Sequence, residues 1–125
     1  MAIDSPQRVL VVEDESAILE LITEMLADLS CTVVATASRL DDAVALAQEI
    51  DVDLAILDVR LQGQQSEAVA RILQARGIPF IFATGYRTSD IDAEFQAIPA
   101  LPKPFQTADL ARAIRSALKR VHDGV

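Results

Sequence analysis

The chain has 125 residues, enough for one domain with a sizeable core and too few for two of ordinary size. Hydrophobic residues make up 51 %, which excludes disorder over most of the length, and aromatics only 4 %, so Val, Leu, Ile and Ala must build the core. Against 19 acidic residues stand 11 basic ones, and the net charge of −8 argues against nonspecific binding to nucleic acid or to an anionic membrane surface.

Cys31 is the sole cysteine, so neither an intramolecular disulfide nor a thiol-built metal cluster can form. The opening MAIDSPQR lacks a charged-then-apolar signal pattern, and no apolar run reaches membrane-spanning length; the expected location is the cytoplasm, with no membrane partner. There is no internal repeat, linker or low-complexity segment. The expectation is one domain over 1–125, its core at about 8–121, with no output domain after it.

Val9 to Val12 is a continuous apolar run and predicts a buried first strand. Ile18, Ile22, Met25, Leu26 and Leu29 follow at helical spacing, with Ser16 placed to cap. Thr32 to Thr36 predicts the second strand, with Cys31 at its start as a small apolar residue. Ser38 with Asp41 has the capping-box pattern ahead of Leu40, Val44 and Ala47. Leu54 to Leu57 predicts a third strand, and Val69, Ile72 and Leu73 the helix after it. Ile78 to Ala83 reads as the fourth strand. A short helix capped by Thr88 or Ser89 follows it, with Ile91 and Phe95 as its few apolar anchors. Pro99, Pro102 and Pro104 leave room for only a few residues of fifth strand around Ala100 and Leu101, best placed at a sheet edge. Thr107 caps a last helix carrying Leu110, Ile114, Leu118 and Val121. Strands that are apolar throughout, in strict alternation with helices, predict an α/β fold: a doubly wound five-stranded parallel sheet covered on both faces.

In such sheets ligands bind at the carboxyl ends of the strands. The first strand ends in Glu13-Asp14-Glu15, the third in Asp58, the fourth in Thr84, and the fifth region in Lys103. Each has an ordinary explanation alone: acids before a helix complement its dipole, a threonine suits a strand, and a loop lysine is solvated. Together they predict a pocket of three carboxylates, one hydroxyl and one ammonium. Clustered carboxylates repel unless a cation joins them, and such hard oxygen ligands suit Mg²⁺. Phosphoryl transfer to Asp58 would give an aspartyl phosphate, with a metal ion, a hydroxyl donor and a fixed cation around the transition state.

The motifs VLVVEDES, LAILDV, FATG and PKPF, in this order from about Val9 to about Val121, resemble those of the receiver domain of bacterial response regulators. The resemblance implies the flavodoxin-like strand order 2-1-3-4-5. It implies that Glu13 and Asp14 are the acidic Mg²⁺ pair, Asp58 the phosphoacceptor, and the Arg60 carbonyl a further metal ligand. Thr84 and Lys103 would contact the phosphoryl group, with Lys103 aimed by a cis bond to Pro104. The implied partners are a sensor histidine kinase or histidine phosphotransfer protein and a downstream protein. The implied activity is at most the protein's own phosphorylation and dephosphorylation.

Two positions depart from the family pattern. Ala100 stands where an aromatic switch residue is usual, and Leu61-Gln62-Gly63 lacks the usual proline after the phosphoacceptor. FATG followed by Tyr86 is similar to a subgroup of stand-alone receivers with a Phe-Ala-Thr-Gly motif that lack the switch aromatic; Tyr86 and the Arg60 side chain would there shield the phosphoryl site from water. Two other classes fit the residues less well. A haloacid-dehalogenase-type phosphatase needs a second acid where this chain has Arg60, and a nucleotide- or flavin-binding protein needs glycines that the first βα turn lacks. A receiver-fold binding module that no longer responds to phosphate is the remaining alternative. His122 reads as a solvated residue near the chain end, and Phe80, Phe82 and Phe105 as core.

Overall fold

A computed structural model of the protein describes residues 6–85 and 91–123, the side chains of residues 121–123 excepted. The expected cap at Thr88 or Ser89, Tyr86, and the side chains of Val121 and His122 lie outside the described residues. Strand β1 (Arg8–Val12) leads to helix α1 (Ser16–Asp28), and β2 (Thr32–Ala37) to α2 (Leu40–Glu49). After β3 (Leu54–Asp58) a small hairpin of β4 (Arg60–Leu61) and β5 (Gln64–Gln65) precedes α3 (Glu67–Ala75). β6 (Phe80–Thr84), a 3-10 turn at Ala93–Phe95, β7 (Ala100–Pro102) and α4 (Thr107–Asp123) complete the order.

Five strands form one parallel sheet in the order β2-β1-β3-β6-β7, which is the expected 2-1-3-4-5 with the two hairpin strands set apart. Alternate residues feed two cores. Leu10, Val12, Leu57, Phe80 and Phe82 face α2 and α3, where Ala43, Ala47, Val69 and Leu73 are buried. Val9, Val11, Leu54, Ile56 and Ile81 face α1 and α4, where Ile22, Leu26, Leu110 and Ile114 are buried. Each fully buried Leu or Ile contributes about 1.5–3 kcal/mol relative to exposure. β7, only three residues long and containing Pro102, pairs with β6 alone at the edge, as its missing donor requires. Among the described residues no helix is long and apolar enough to cross a membrane.

Several local expectations differ in the structure. β2 is not buried throughout but alternates, because it is the other edge strand. Its pairing with β1 skips from Val9 opposite Val33 to Leu10 opposite Ala35. Val34 is thus the extra residue of a bulge, which leaves it exposed and lets Val33 and Ala35 pack in different cores. Ser16 does not cap α1; Glu15 holds the cap position, and its N–H donates to Glu13 Oε2 at 3.2 Å. The Ser38–Asp41 box is also absent, since Arg39 precedes α2 and Asp41 Oδ1 instead accepts from the Asp42 N–H. At α4 Thr107 is already helical, and the Asp109 carboxylate accepts from the Gln106 N–H at 2.9 Å.

The segment after β6 is better anchored than expected. Ile91, Phe95 and Ile98 are all buried, and Phe95 meets Phe80 and Phe82 edge-on with ring centroids 6.2 Å apart in both pairs. Its outer side is held by Arg71 of α3, whose Nη2 and Nε donate to Glu94 Oε1 at 2.6 and 2.9 Å. The Arg71 guanidinium also lies over the Phe95 ring, 5.8 Å from its centroid.

Candidate functional site

The carboxyl edge of the sheet gathers four of the expected residues within hydrogen-bond reach of one another or nearly so. Glu13 follows β1 and is 1 % exposed; its N–H donates to Ala37 O of β2 at 3.0 Å, which fixes the turn. Asp58 is the last residue of β3 and 6 % exposed. One carboxylate oxygen each of Glu13, Asp14 and Asp58 lies within 4.8 Å of the others. Lys103 reaches in from beyond β7, its Nζ donating to Glu13 Oε1 at 2.6 Å and to Asp58 Oδ2 at 3.2 Å. Its backbone is tied down as well: the Lys103 N–H donates to Thr84 O at 2.8 Å, and the Lys103–Pro104 bond is cis.

Thr84 ends β6 and is buried, one residue past Ala83, which pairs with Asp58. The Arg60 N–H donates to Asp58 Oδ1 at 3.4 Å. Asp14, half-buried, accepts at Oδ2 from the Gln62 N–H at 2.8 Å. The cavity bounded by Asp14, Asp58, Arg60, Gly63, Gly85 and Lys103 holds about 350 Å³. A larger groove of about 820 Å³ runs between α1 and α2 past the end of β2, with Glu13 and Asp14 among its lining residues. It lacks Asp58 and Lys103, so the clustered chemistry belongs to the smaller cavity.

Burial and neighbouring charge set the proton affinities in the pocket. Burial pushes the Glu13 carboxyl up to about 7; the hydrogen bond from Lys103 opposes this, and the charge of Asp58 adds to it. Burial alone would depress the Lys103 ammonium, yet the hydrogen bond to Glu13 and the charges of Asp58 and Glu13 raise it above its ordinary value. Both groups therefore hold their protons more tightly than in water. One ammonium does not balance three clustered carboxyl groups, and the pocket draws positive charge.

Of the expected tuning positions, Arg60 lines the cavity and Tyr86 lies outside the described residues. Ala100 is half-buried opposite Phe82 on β6 and packs at the edge of the core containing Phe80, Phe82 and Phe95. Among the described residues, the aromatic area of this core comes from those three rings. Sequence reasoning missed the β4–β5 hairpin and its tip amide on Asp14; the Gln-Gly pair at 62–63, both at positive φ, was the available signal. It also missed Ser66, which is fully buried beneath Asp58 and hydrogen-bonded to the Asp58 carbonyl.

Fold and pocket together define a doubly wound α/β protein with an acidic, lysine-braced pocket at the carboxyl edge of its sheet. The chain belongs to the response regulator receiver domain family of two-component signalling, whose sequence pattern matches residues 9–115. It is 32 % identical over 122 residues to the transcriptional regulatory protein PdtaR of Mycobacterium tuberculosis, covering 94 % of this chain and 60 % of that one. The chain therefore spans less than two thirds of that curated relative. Among solved structures it is similar to SdrG of Sphingomonas melonis, with a TM-score of 0.83 and 38 % identity over 93 % of this chain and 99 % of that one. The anti-anti-sigma factor PhyR of Bartonella quintana also matches, with a TM-score of 0.78 and 25 % identity over 97 % of this chain and 51 % of that one.

Proposed function

We propose that this receiver accepts a phosphoryl group on an oxygen of Asp58 from the phosphohistidine of a sensor histidine kinase or a histidine phosphotransfer protein. In this step the donor's N–P bond breaks, the Asp58 O–P bond forms, and the donor imidazole leaves. One observation carries the reading. A buried carboxylate ends the central strand β3 with an ammonium at 3.2 Å and two further carboxyl groups close by. That is the arrangement a metaphosphate-like transition state needs on its acceptor side.

The residues fit Mg²⁺. Three hard oxygen donors lie within 4.8 Å of one another, and the acids beside Lys103 raise its proton affinity despite its burial. Glu13, Asp14, Asp58 and the Arg60 carbonyl would hold the ion. When bound, it supplies charge neutralisation that lets an anionic phosphoryl group approach a carboxylate. The chain's own residues do the rest. Lys103 is pre-aimed at Asp58, the Thr84 hydroxyl would donate to a phosphoryl oxygen, and the Arg60 N–H steadies the carboxylate that attacks.

The state would be passed on by protein contacts or by onward phosphotransfer in the cytoplasm. The likeness to an anti-anti-sigma factor, which acts on a protein, supports the first route. Incubation with Mg²⁺ and acetyl phosphate should add one phosphoryl mass to the parent and none to Asp58→Asn. Undiminished labelling of Asp58→Asn overturns the assignment of the acceptor. An unlabelled parent favours the second reading, a receiver-fold binding module insensitive to phosphate, for which the alanine at the switch position speaks.

A further inference from the structure

Ser66 sits at the cap position of α3 and is fully buried. A serine there ordinarily turns its oxygen toward the free amides of its own helix. Here it makes no such cap. Its hydroxyl turns back upstream and shares its proton between Asp58 O at 2.5 Å and Val59 O at 3.0 Å. The Ser66 N–H also donates to Val59 O, at 2.9 Å.

Between these anchors lies the β4–β5 hairpin, paired only at Arg60–Gln65 and Leu61–Gln64 and turned through Gln62 and Gly63 at φ 51° and 82°. A two-stranded ribbon this short has little stability of its own. Leu61 alone is fully buried, while Gln62, Gly63, Gln64 and Gln65 are exposed. The hairpin nevertheless forms one wall of the cavity, and its tip places the Gln62 N–H on Asp14. The proline that would stiffen this loop is absent.

We infer that Ser66 is a positioning residue for phosphoryl acceptance, its hydroxyl clasping the main chain of Asp58 and Val59 so that the carboxylate and the hairpin wall keep their places. The inference rests on the reading of Asp58 as the acceptor. Without the hydroxyl the buried carbonyls of residues 58 and 59 lose their shared donor, and the carboxylate gains freedom at its backbone. Rate then falls through misalignment, because small displacements of a reacting group cost large factors. The bound phosphoryl group also becomes more open to water as the wall loosens.

The test uses the full chain with Mg²⁺ and acetyl phosphate, comparing the parent, Ser66→Ala and Ser66→Thr. Ser66→Ala should show a maximal labelling rate lower by roughly tenfold with KM for acetyl phosphate little changed. It should also show a shorter phosphoryl half-life, and faster amide exchange confined to residues 59–65. Ser66→Thr, which keeps the hydroxyl, should recover most of the rate. Ser66→Ala behaving as the parent, or Ser66→Thr as slow as Ser66→Ala, overturns the inference. Loss of the fold in Ser66→Ala, seen by circular dichroism, would make the residue merely structural and overturns it too. Failure of the underlying reading shows separately, as a parent that takes no label.

Discussion

The Lys103 ammonium lies 2.6 Å from Glu13 Oε1, across 90 positions of sequence, and is closer to that acid than to Asp58 Oδ2 at 3.2 Å. The lysine therefore braces two buried carboxyl groups. Replacing it by an apolar side chain of similar length leaves both without this donor. Lys103→Met should lower the stability of the metal-free protein by roughly 1–3 kcal/mol. Mg²⁺ should restore part of this, since a cation at the acids replaces the lost charge. Urea unfolding with and without Mg²⁺ measures both; an unchanged midpoint in the metal-free variant would show that Lys103 does not brace the acids.

Asp14 is half-buried and holds the tip of the hairpin through the Gln62 N–H. Asp14→Ala removes one carboxylate from the cluster and relieves repulsion, so the fold should persist while Mg²⁺ binding is lost. A Mg²⁺ titration followed by amide chemical shifts decides the matter, and binding as tight as the parent's would mean that the ion sits elsewhere.

Phe95 joins Phe80 and Phe82 in the core behind the segment at 91–98, and Arg71 holds the outside of that segment through Glu94. Phe95→Ala should cost about 3–5 kcal/mol, as expected for emptying a fully buried aromatic site. Arg71→Ala removes an exposed ion pair worth at most about 1 kcal/mol. Its expected effect is local: faster amide exchange at residues 92–98 with a nearly unchanged unfolding midpoint.

With no aromatic at position 100, the segment after β6 is the element we expect to carry the phosphorylation signal. Hydrogen exchange with and without a beryllofluoride mimic should change most between residues 85 and 97. A change confined to α1 and α2 would rule this route out.

Cys31 is buried, and burial raises its thiol above the ordinary value, only partly offset by a backbone hydrogen bond with Gln7. The folded chain then binds this proton to higher pH than the unfolded chain does. Stability from this group is complete below the unfolded thiol's value and is lost as pH rises through the folded one. Alkylation of Cys31 at pH 8 should accordingly be slow in the native protein and fast in urea. Equal rates would place the thiol in solvent.

Hydrophobic runs at Val9–Val12, Leu54–Leu57 and Ile78–Ala83 suffice to read strands covered on both faces, because apolar burial is a property of residue type and period. The acids and the lysine at the strand ends were legible for the same reason: strand ends meet at one edge of a parallel sheet. What the sequence could not yield were matters of register and partner choice. A one-residue bulge at Val34 splits β2 between two cores, and nothing in Thr-Val-Val-Ala marks which valine steps out. Capping was misread at Ser16 and Ser38 because each helix begins one residue away from where the local pattern puts it, with Glu15 and Arg39 at the cap positions, and packing of the helix on the sheet sets that boundary. Ser66 carries no local pattern that singles it out. Its hydroxyl points upstream because residues 60–65 fold into a hairpin that brings it beneath Asp58. Residue chemistry determined what the pocket is made of; long-range placement of backbone carbonyls and amides, which no local pattern encodes, decided how it is held.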